Sequence, residues 1–192
     1  MELSNKIINI GTLGPTGTSS EAATIYFTRT FRFRQKQVDQ FAIILLNSFK
    51  CVLRELVHGD LTLAIVPHAY SKINLFYINP KIALYGIFIH DTPPYGLARR
   101  EDTIPSGQYC RIVSHPAPAH LLDSLVDEMG LSGYEIEYVE STSKAALEVF
   151  ERKADLALTN RNAMNKYGLV CCAPYGAIRM GWSVFIKKEV KA

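Results

Sequence analysis

The chain has no long hydrophobic run and little excess charge, and each shortage excludes a class of protein. Its apolar runs are far shorter than the roughly 20 residues that a membrane-spanning helix needs. The amino terminus lacks the pattern of a secretory signal peptide. The formal net charge of +3 is too small to indicate a nucleic acid or a membrane as a partner. We therefore expect a cytoplasmic protein that binds neither.

Cysteine is also scarce, with four residues in the chain. None shows Cys-x-x-Cys spacing, and no histidine lies near them at the spacing of metal ligands. The adjacent Cys171 and Cys172 could pair only with strain, so the sequence predicts free, buried thiols. No structural metal is expected.

The sequence does contain a turn rich in glycine and hydroxyl groups, GTLGPTGTSSEAA at positions 11–23. Thr18 and Glu21 have the spacing of a capping box, which predicts that a helix begins just after Thr18. Backbone N–H groups at such a helix start favour an anion. The turn differs from a Walker loop because no lysine follows its last glycine. An ordinary, well-capped connection between a strand and a helix is the alternative.

The order of apolar segments predicts an α/β chain with about eight strands and five helices. Strands are expected at residues 7–10, 61–66, 82–89, 110–113, 134–139, 155–159, 169–172 and 182–186. Residues 99–107 are expected to form a surface loop. Three helices are predicted to start in hydroxyl clusters that follow strands, at positions 18–20, 114–115 and 141–143. If folding brings two or three of these starts together, they would suit a small molecule with more than one carboxylate.

Four stretches of the chain resemble the catalytic domain of prephenate dehydratases, in the same order. They are residues 14–23, residues 59–71 with Val66-Pro67 and Ser71, the Ser114-His115-Pro116 triplet, and Ser141-Thr142 with Ala145-Ala146 followed by Tyr167-Gly168-Leu169. The resemblance covers essentially the whole chain. It implies a two-lobed α/β fold like a type 2 periplasmic binding protein, with the active site in the cleft between the lobes. We expect a single catalytic domain, with lobe 1 at residues 1–80 plus 163–192 and lobe 2 at residues 81–162.

The chain departs from the dehydratases at their catalytic motif. Their Asn-x-Thr-Arg-Phe corresponds here to Gly181-Trp182-Ser183-Val184-Phe185, so one hydroxyl remains while the Asn and the Arg are replaced. Their Glu-Asn pair corresponds to Ala69-Tyr70. No ACT regulatory domain is expected. These features are similar to those of a shorter branch of the family, the prephenate decarboxylases of bacilysin- and aeruginosin-type pathways.

This similarity implies a carboxy-lyase of secondary metabolism and antibiotic biosynthesis. Its dicarboxylate substrate would be prephenate, and its product dihydro-4-hydroxyphenylpyruvate, in which the ring is not aromatised. Such a reaction must protonate a ring carbon and must not protonate the 4-hydroxyl, which stays on the ring. No cofactor is expected, since the diene ring accepts the electrons released with carbon dioxide. The alternatives are a prephenate or arogenate dehydratase, or a non-catalytic protein that binds a small molecule.

The expected site residues follow from this similarity and from the helix starts. The substrate-binding candidates are hydroxyl side chains: Thr18, Ser19, Ser20, Ser71, Ser114 and Thr142. The catalytic candidates can donate or orient a proton: His68, Tyr70, His115 and Ser183. Three arginines are further candidates for pairing with carboxylates, with solvated side chains as the alternative: Arg111, Arg161 and Arg179. The similarity also implies a homodimer, and it leaves open the proton donor, the isomer of the product and the downstream pathway.

Overall fold

The computed structural model describes residues 7–31, 40–103 and 109–188, which form ten strands and six α-helices. The strands are β1 (Ile7–Leu13), β2 (Gln40–Leu46), β3 (Leu63–Pro67), β4 (Ile82–Asp91), β5 (Tyr95–Arg100), β6 (Cys110–Ser114), β7 (Tyr134–Tyr138), β8 (Leu156–Asn160), β9 (Leu169–Gly176) and β10 (Arg179–Lys187). The helices are α1 (Ser19–Thr30), α2 (Phe49–His58), α3 (Asn74–Tyr77), α4 (Leu122–Met129), α5 (Thr142–Phe150) and α6 (Arg161–Tyr167).

The chain divides into two compact units, each with a five-stranded mixed sheet. The first unit comprises Met1–Gly14, Ser20–His90 and Met180–Ala192, and the second comprises Pro15–Ser19 and Asp91–Arg179. The predicted α/β class with two lobes is confirmed.

The sheet of the first unit has the strand order β2-β1-β3-β10-β4. Its strands β1, β2 and β3 are parallel, whereas β10 runs antiparallel to β3. The central strand β3 is buried on both faces, which explains its continuous apolar sequence. Leu63 and Ile65 pack in one core with Phe27 of α1, while Ala64 and Val66 pack in the other with α2.

The sheet of the second unit has the order β7-β6-β8-β5-β9. Strands β6, β7 and β8 are parallel, and β5 lies antiparallel between β8 and β9. Leu122 of α4 packs with one face of this sheet, and Ala145 of α5 packs with the other. The carboxyl ends of β6 and β8 lie at the edge where β5 begins, with Tyr95 opposite Asn160.

The boundaries between the units differ from the expected ones. The chain passes into the second unit after His90 rather than after residue 80, and it returns after Arg179 rather than after residue 162. The reason is strand pairing, because β4 joins the first sheet and β9 joins the second. An apolar run predicts a strand, but it does not reveal which sheet the strand joins.

Several elements were predicted incorrectly. The sequence analysis predicts no counterpart to β2, α3 or β5, and β5 ends within the segment expected as a loop. The helix expected at positions 114–115 begins later, with a 3-10 turn at Ala119–Leu121 followed by α4. Pro116 and Pro118 explain the delay, because each disfavours the helical conformation of the residue before it.

The four cysteines are free, as predicted, but they are not all buried. Cys110 is buried, whereas Cys171 is exposed on the edge strand β9. Burial raises the pKa of the neighbouring Cys172 thiol to about 11. Among the described residues, no three His, Cys, Asp or Glu side chains are grouped so that they could hold a metal ion. The described helices are also too short or too polar to cross a membrane.

Candidate active site

Two side chains that can carry protons meet the hydroxyl of Ser183 in the first unit. The Oγ atom of Ser183 lies 2.9 Å from Nε2 of His68 and 2.7 Å from the phenolic oxygen of Tyr77. We call these three residues the Ser183 cluster. Because Ser183 can donate its hydrogen to one neighbour and accept a hydrogen bond from the other, the three groups form one hydrogen-bonded chain.

Three separate elements supply this cluster. His68 directly follows β3, Tyr77 is the last residue of α3, and Ser183 lies in β10. Ser183 is fully buried, whereas the side chains of His68 and Tyr77 are exposed. The cluster therefore links a buried hydroxyl to two groups that are in contact with solvent.

A network of hydroxyl and amide groups is buried at the edge of the sheet in the second unit. The phenolic oxygen of Tyr95 lies 3.0 Å from Oγ of Ser19. The Nδ2 atom of Asn160 donates to Oγ of Ser19 and to Oγ1 of Thr142, at 3.4 Å in both cases. We call these four residues the Tyr95 cluster. Burial raises the pKa of Tyr95, and hydrogen bonds with Ser19 and Thr142 oppose this shift more weakly.

The Tyr95 cluster joins the starts of several helices. Ser19 and Thr142 are the first residues of α1 and α5, and Asn160 is the N-cap of α6, where its Oδ1 accepts from the backbone N–H of Ala163 at 3.1 Å. The Oγ1 atom of Thr159 donates to the carbonyl of Thr142 at 2.7 Å. Two of the three predicted hydroxyl-rich segments thus come together in one unit.

The turn at residues 15–19 is held in place by contacts with α5 and α6. The carbonyl of Thr16 accepts from Oγ of Ser143 at 2.8 Å and from Nζ of Lys166 at 3.1 Å. Gly17 has a φ of 98°, and a Cβ atom there would lie 3.2 Å from Oγ of Ser143 and 3.3 Å from Cα of Ala163. A glycine is therefore required at position 17 both by conformation and by space.

The other predicted carboxylate-binding residues lie as follows. Thr18 is buried and directly precedes α1, at the position expected of a cap. Ser20 is buried in the first unit, where its carbonyl accepts from Oγ1 of Thr24 at 2.8 Å. Ser114 is buried at the end of β6, and its Oγ donates to the carbonyl of His115 at 2.9 Å. The Ser114 hydroxyl thus contacts its own local backbone.

The other two proton-donor candidates have structural contacts. The Nδ1 atom of His115 accepts from the backbone N–H of Ala117 at 3.1 Å, which places the hydrogen of the neutral ring on Nε2. Burial lowers the pKa of His115, and the negative charge of Glu140 opposes the shift. The Tyr70 ring packs against Phe49, with centroids 4.6 Å apart, and burial raises the pKa of its phenol. Ser71, which follows Tyr70, is exposed.

The three arginine candidates are exposed. Arg111 forms ion pairs with Glu135 and Glu137, and Arg179 lies 3.7 Å from Asp91. Arg161 begins α6, and its backbone N–H donates to the carbonyl of Pro94 at 2.8 Å. Exposed ion pairs of this kind contribute little to stability.

The sequence reading missed four residues of these sites: Tyr77, Tyr95, Asn160 and Lys166. An asparagine between a buried strand and a helix is the usual signal of an N-cap, so Asn160 could have been identified. Tyr77 and Tyr95 belong to α3 and β5, which the reading did not predict.

Comparison with known proteins identifies the family. No family model matches the chain. The chain is 40% identical over 191 residues to a prephenate decarboxylase of Planktothrix agardhii, with coverage of 95% of this chain and 90% of the relative. It is 38% identical over 192 residues to the prephenate decarboxylase of Bacillus subtilis, with 97% and 90% coverage. This chain belongs to the prephenate decarboxylase family. The branch expected from the sequence is thereby confirmed.

Solved structures similar to this prephenate decarboxylase family member share its fold. The prephenate dehydratase of Arthrobacter aurescens, in complex with L-Phe, gives a TM-score of 0.71 at 16% identity, with coverage of 95% of this chain and 61% of that one. A Staphylococcus aureus prephenate dehydratase gives 0.65 at 15% identity, covering 95% and 67%. A periplasmic substrate-binding protein from Coxiella burnetii gives 0.55 at 15% identity, covering 94% and 85%. The predicted similarity of the fold to both groups is confirmed.

Proposed function

We propose that this protein removes a carboxylate of prephenate as carbon dioxide and leaves the ring non-aromatic, as dihydro-4-hydroxyphenylpyruvate. The observation that carries the proposal is the Ser183 cluster in a chain about 40% identical to proteins named prephenate decarboxylase. The bond between the ring and its carboxylate breaks, and the electron pair enters the ring diene. A ring carbon then takes up one proton, while the 4-hydroxyl stays in place. The reaction balances without an oxidant or a reductant, so the proposal includes no cofactor.

His68 is the proposed proton donor. Its imidazole is exposed and is bound through Nε2 to Ser183, and histidine is the side chain best suited to exchange protons near neutral pH. His115 and Tyr70 are less suitable, because burial lowers the pKa of the first and raises that of the second. Ser183 is fully buried, so its proposed role is to hold His68 and Tyr77 rather than to touch the 4-hydroxyl of the substrate.

The second unit supplies groups suited to a carboxylate. The start of α5 presents backbone N–H groups beside Ser143, and Lys166 places a positive charge at the carbonyl of Thr16. Ser19 and Thr142 are buried in the Tyr95 cluster, so their proposed role is to fix the helix starts. We propose that backbone N–H groups of residues 16–19 and 142–143, together with the Lys166 ammonium, bind one carboxylate of the substrate.

Other properties implied by the family resemblance stay predictions. A homodimer would give about twice the monomer mass in sedimentation equilibrium. A cytoplasmic location and a role in antibiotic biosynthesis are tested by fractionating the source cells and by deleting the gene.

The deciding experiment is incubation with prephenate in D₂O without any added cofactor, followed by measurement of carbon dioxide and NMR of the product. We expect carbon dioxide, surviving alkene signals and one deuterium on a ring carbon. Aromatic signals without ring deuterium would instead establish a dehydratase. Unchanged prephenate would indicate a binding protein. A sample without protein measures the spontaneous reaction.

A further inference from the structure

Gly181 lies directly beside the imidazole of His68. The backbone N–H of His68 donates to the carbonyl of Gly181 at 2.9 Å. This bond continues the antiparallel pairing of β3 with β10, in which Pro67 lies opposite Trp182 and Val66 lies opposite Ser183. Gly181 is therefore the cross-strand neighbour of His68, and side chains at positions 181 and 183 would point to the same face of the sheet.

The imidazole occupies the space that a side chain at position 181 would need. A Cβ atom on Gly181 would lie 2.5 Å from Nδ1 of His68, 2.8 Å from Cε1 and 3.1 Å from Cγ. Rotation of the ring away from position 181 would break the hydrogen bond between its Nε2 and Ser183. An alanine at position 181 would therefore move the ring or the strand.

The backbone conformation gives no other reason for this glycine. The φ of Gly181 is outside the left-handed region, unlike that of Gly17, Gly130, Gly168 and Gly176. A glycine inside a strand weakens it, and one with an ordinary φ commonly marks the close approach of another group. Here the approaching group is the imidazole, which crosses Gly181 to reach Ser183 two residues further along β10.

We propose that Gly181 is a positioning residue: its missing side chain allows His68 to lie against β10 and bind Ser183. The proposal rests on the proposed function, in which His68 donates the proton. A side chain at position 181 would separate His68 from Ser183 and misplace the donor, without changing any group proposed to bind a carboxylate.

A kinetic double-mutant cycle tests this dependence. Because a positioned general acid contributes on the order of 100-fold, we expect Gly181→Ala to lower kcat by about 10-fold to 100-fold and to change KM by less than about 2-fold. In a His68→Ala background, Gly181→Ala should not lower kcat any further, because both changes act through the same ring. Equal losses in the two backgrounds would overturn the proposal.

A second measurement does not need turnover. The protein has five histidines, so ¹⁵N-histidine NMR can resolve the ring nitrogens, with His68 assigned from its absence in His68→Gln. We expect Gly181→Ala to shift the His68 resonances in the same way as Ser183→Ala. Unshifted resonances would overturn the positioning role whether or not prephenate is turned over. Shifted resonances with an unchanged kcat would refute the catalytic part alone.

Two controls separate positioning from misfolding. Gly86 lies in β4 of the same sheet, and a Cβ atom there would meet nothing within 4 Å, so Gly86→Ala should keep the wild-type kcat and His68 resonances. A loss of stability in Gly181→Ala should lower Tm by about 2–4 °C for each kcal/mol lost in a chain of this size. If Tm falls, adding His68→Ala should restore most of the lost Tm by removing the clash. A Tm loss that persists in the double variant would contradict the proposed contact.

Discussion

The Ser183 cluster and the Tyr95 cluster use similar groups but differ in their contact with water. In the first, a buried hydroxyl binds an imidazole and a phenol that are both exposed. In the second, all four side chains are buried. A hydroxyl joined to exposed, ionisable groups can take part in proton transfer, whereas a buried and uncharged network holds its surroundings in place. The surroundings of a hydroxyl, rather than its presence in a motif, decide its role.

The two clusters also differ in their electrostatics. Burial raises the pKa of Tyr95, so its phenol stays neutral over the physiological pH range. The exposed Lys166 places a positive charge at the adjoining turn, through its bond to Thr16. We therefore expect substitutions in the Ser183 cluster to affect kcat, and substitutions in and around the Tyr95 cluster to affect stability and KM.

The largest effect is expected for His68→Gln. Glutamine can keep a hydrogen bond to Ser183 but cannot carry the proton, so kcat should fall by about 100-fold or more while Tm changes little. The rate of carbon dioxide release and a thermal melt measure the two quantities. His58→Gln, which changes an exposed histidine of the same unit, should have no effect. A kcat for His68→Gln within twofold of the wild-type value would exclude His68 as the donor.

The next effect is expected for Tyr95→Phe. Removal of the phenolic oxygen leaves the buried Ser19 without this hydrogen bond, which should lower the free energy of unfolding by about 1–2 kcal/mol. Urea denaturation measures the loss. Tyr109→Phe is the matched control in the same unit, because Tyr109 is exposed and bonds to Glu135, and it should cost less than about 0.5 kcal/mol. Equal losses would show that the Tyr95 cluster does not stabilise the unit.

A smaller effect is expected for Lys166→Met, which removes the charge and keeps the aliphatic chain. The KM for prephenate should rise by up to about fivefold, since an exposed charge pair contributes roughly 0.2–1 kcal/mol, and kcat should stay the same. The salt dependence of KM should weaken as well. Lys153→Met, at an exposed lysine paired with Glu151, serves as the control. A fall in kcat with KM unchanged would contradict the proposed assignment.

The smallest effect concerns His115. Burial lowers the pKa of His115 in the folded protein. At a pH between this lowered value and the pKa of the unfolded chain, His115 is therefore protonated in the unfolded chain but not in the folded one. The free energy of unfolding should therefore fall as the pH drops below about 6.5. His115→Asn can still accept from the N–H of Ala117 and should flatten this decrease. Urea midpoints at several pH values test it, and an unchanged slope would mean that other groups cause the decrease.

The sequence predicted those features that depend on neighbouring residues. The buried run that forms β3 and the helix start after Thr18 were both predicted, and the structure has β3 at Leu63–Pro67 and α1 from Ser19. Residues 40–46 were not assigned, because a short apolar run close to a helix has no distinctive periodicity. The helix α4 starts later than the capping pattern predicts, because the two prolines that follow this pattern disfavour a helical conformation of the residues before them.

The sequence by itself determined the α/β class, the family, and the hydroxyl-rich segments that begin α1 and α5. These depend on short patterns and on their order along the chain. Only the tertiary structure decided which of these groups meet. His68 binds Ser183 across 115 positions, and Ser19 meets Tyr95 across 76. The physical reason is that strand pairing and register bring such distant residues together, and a local pattern does not specify either.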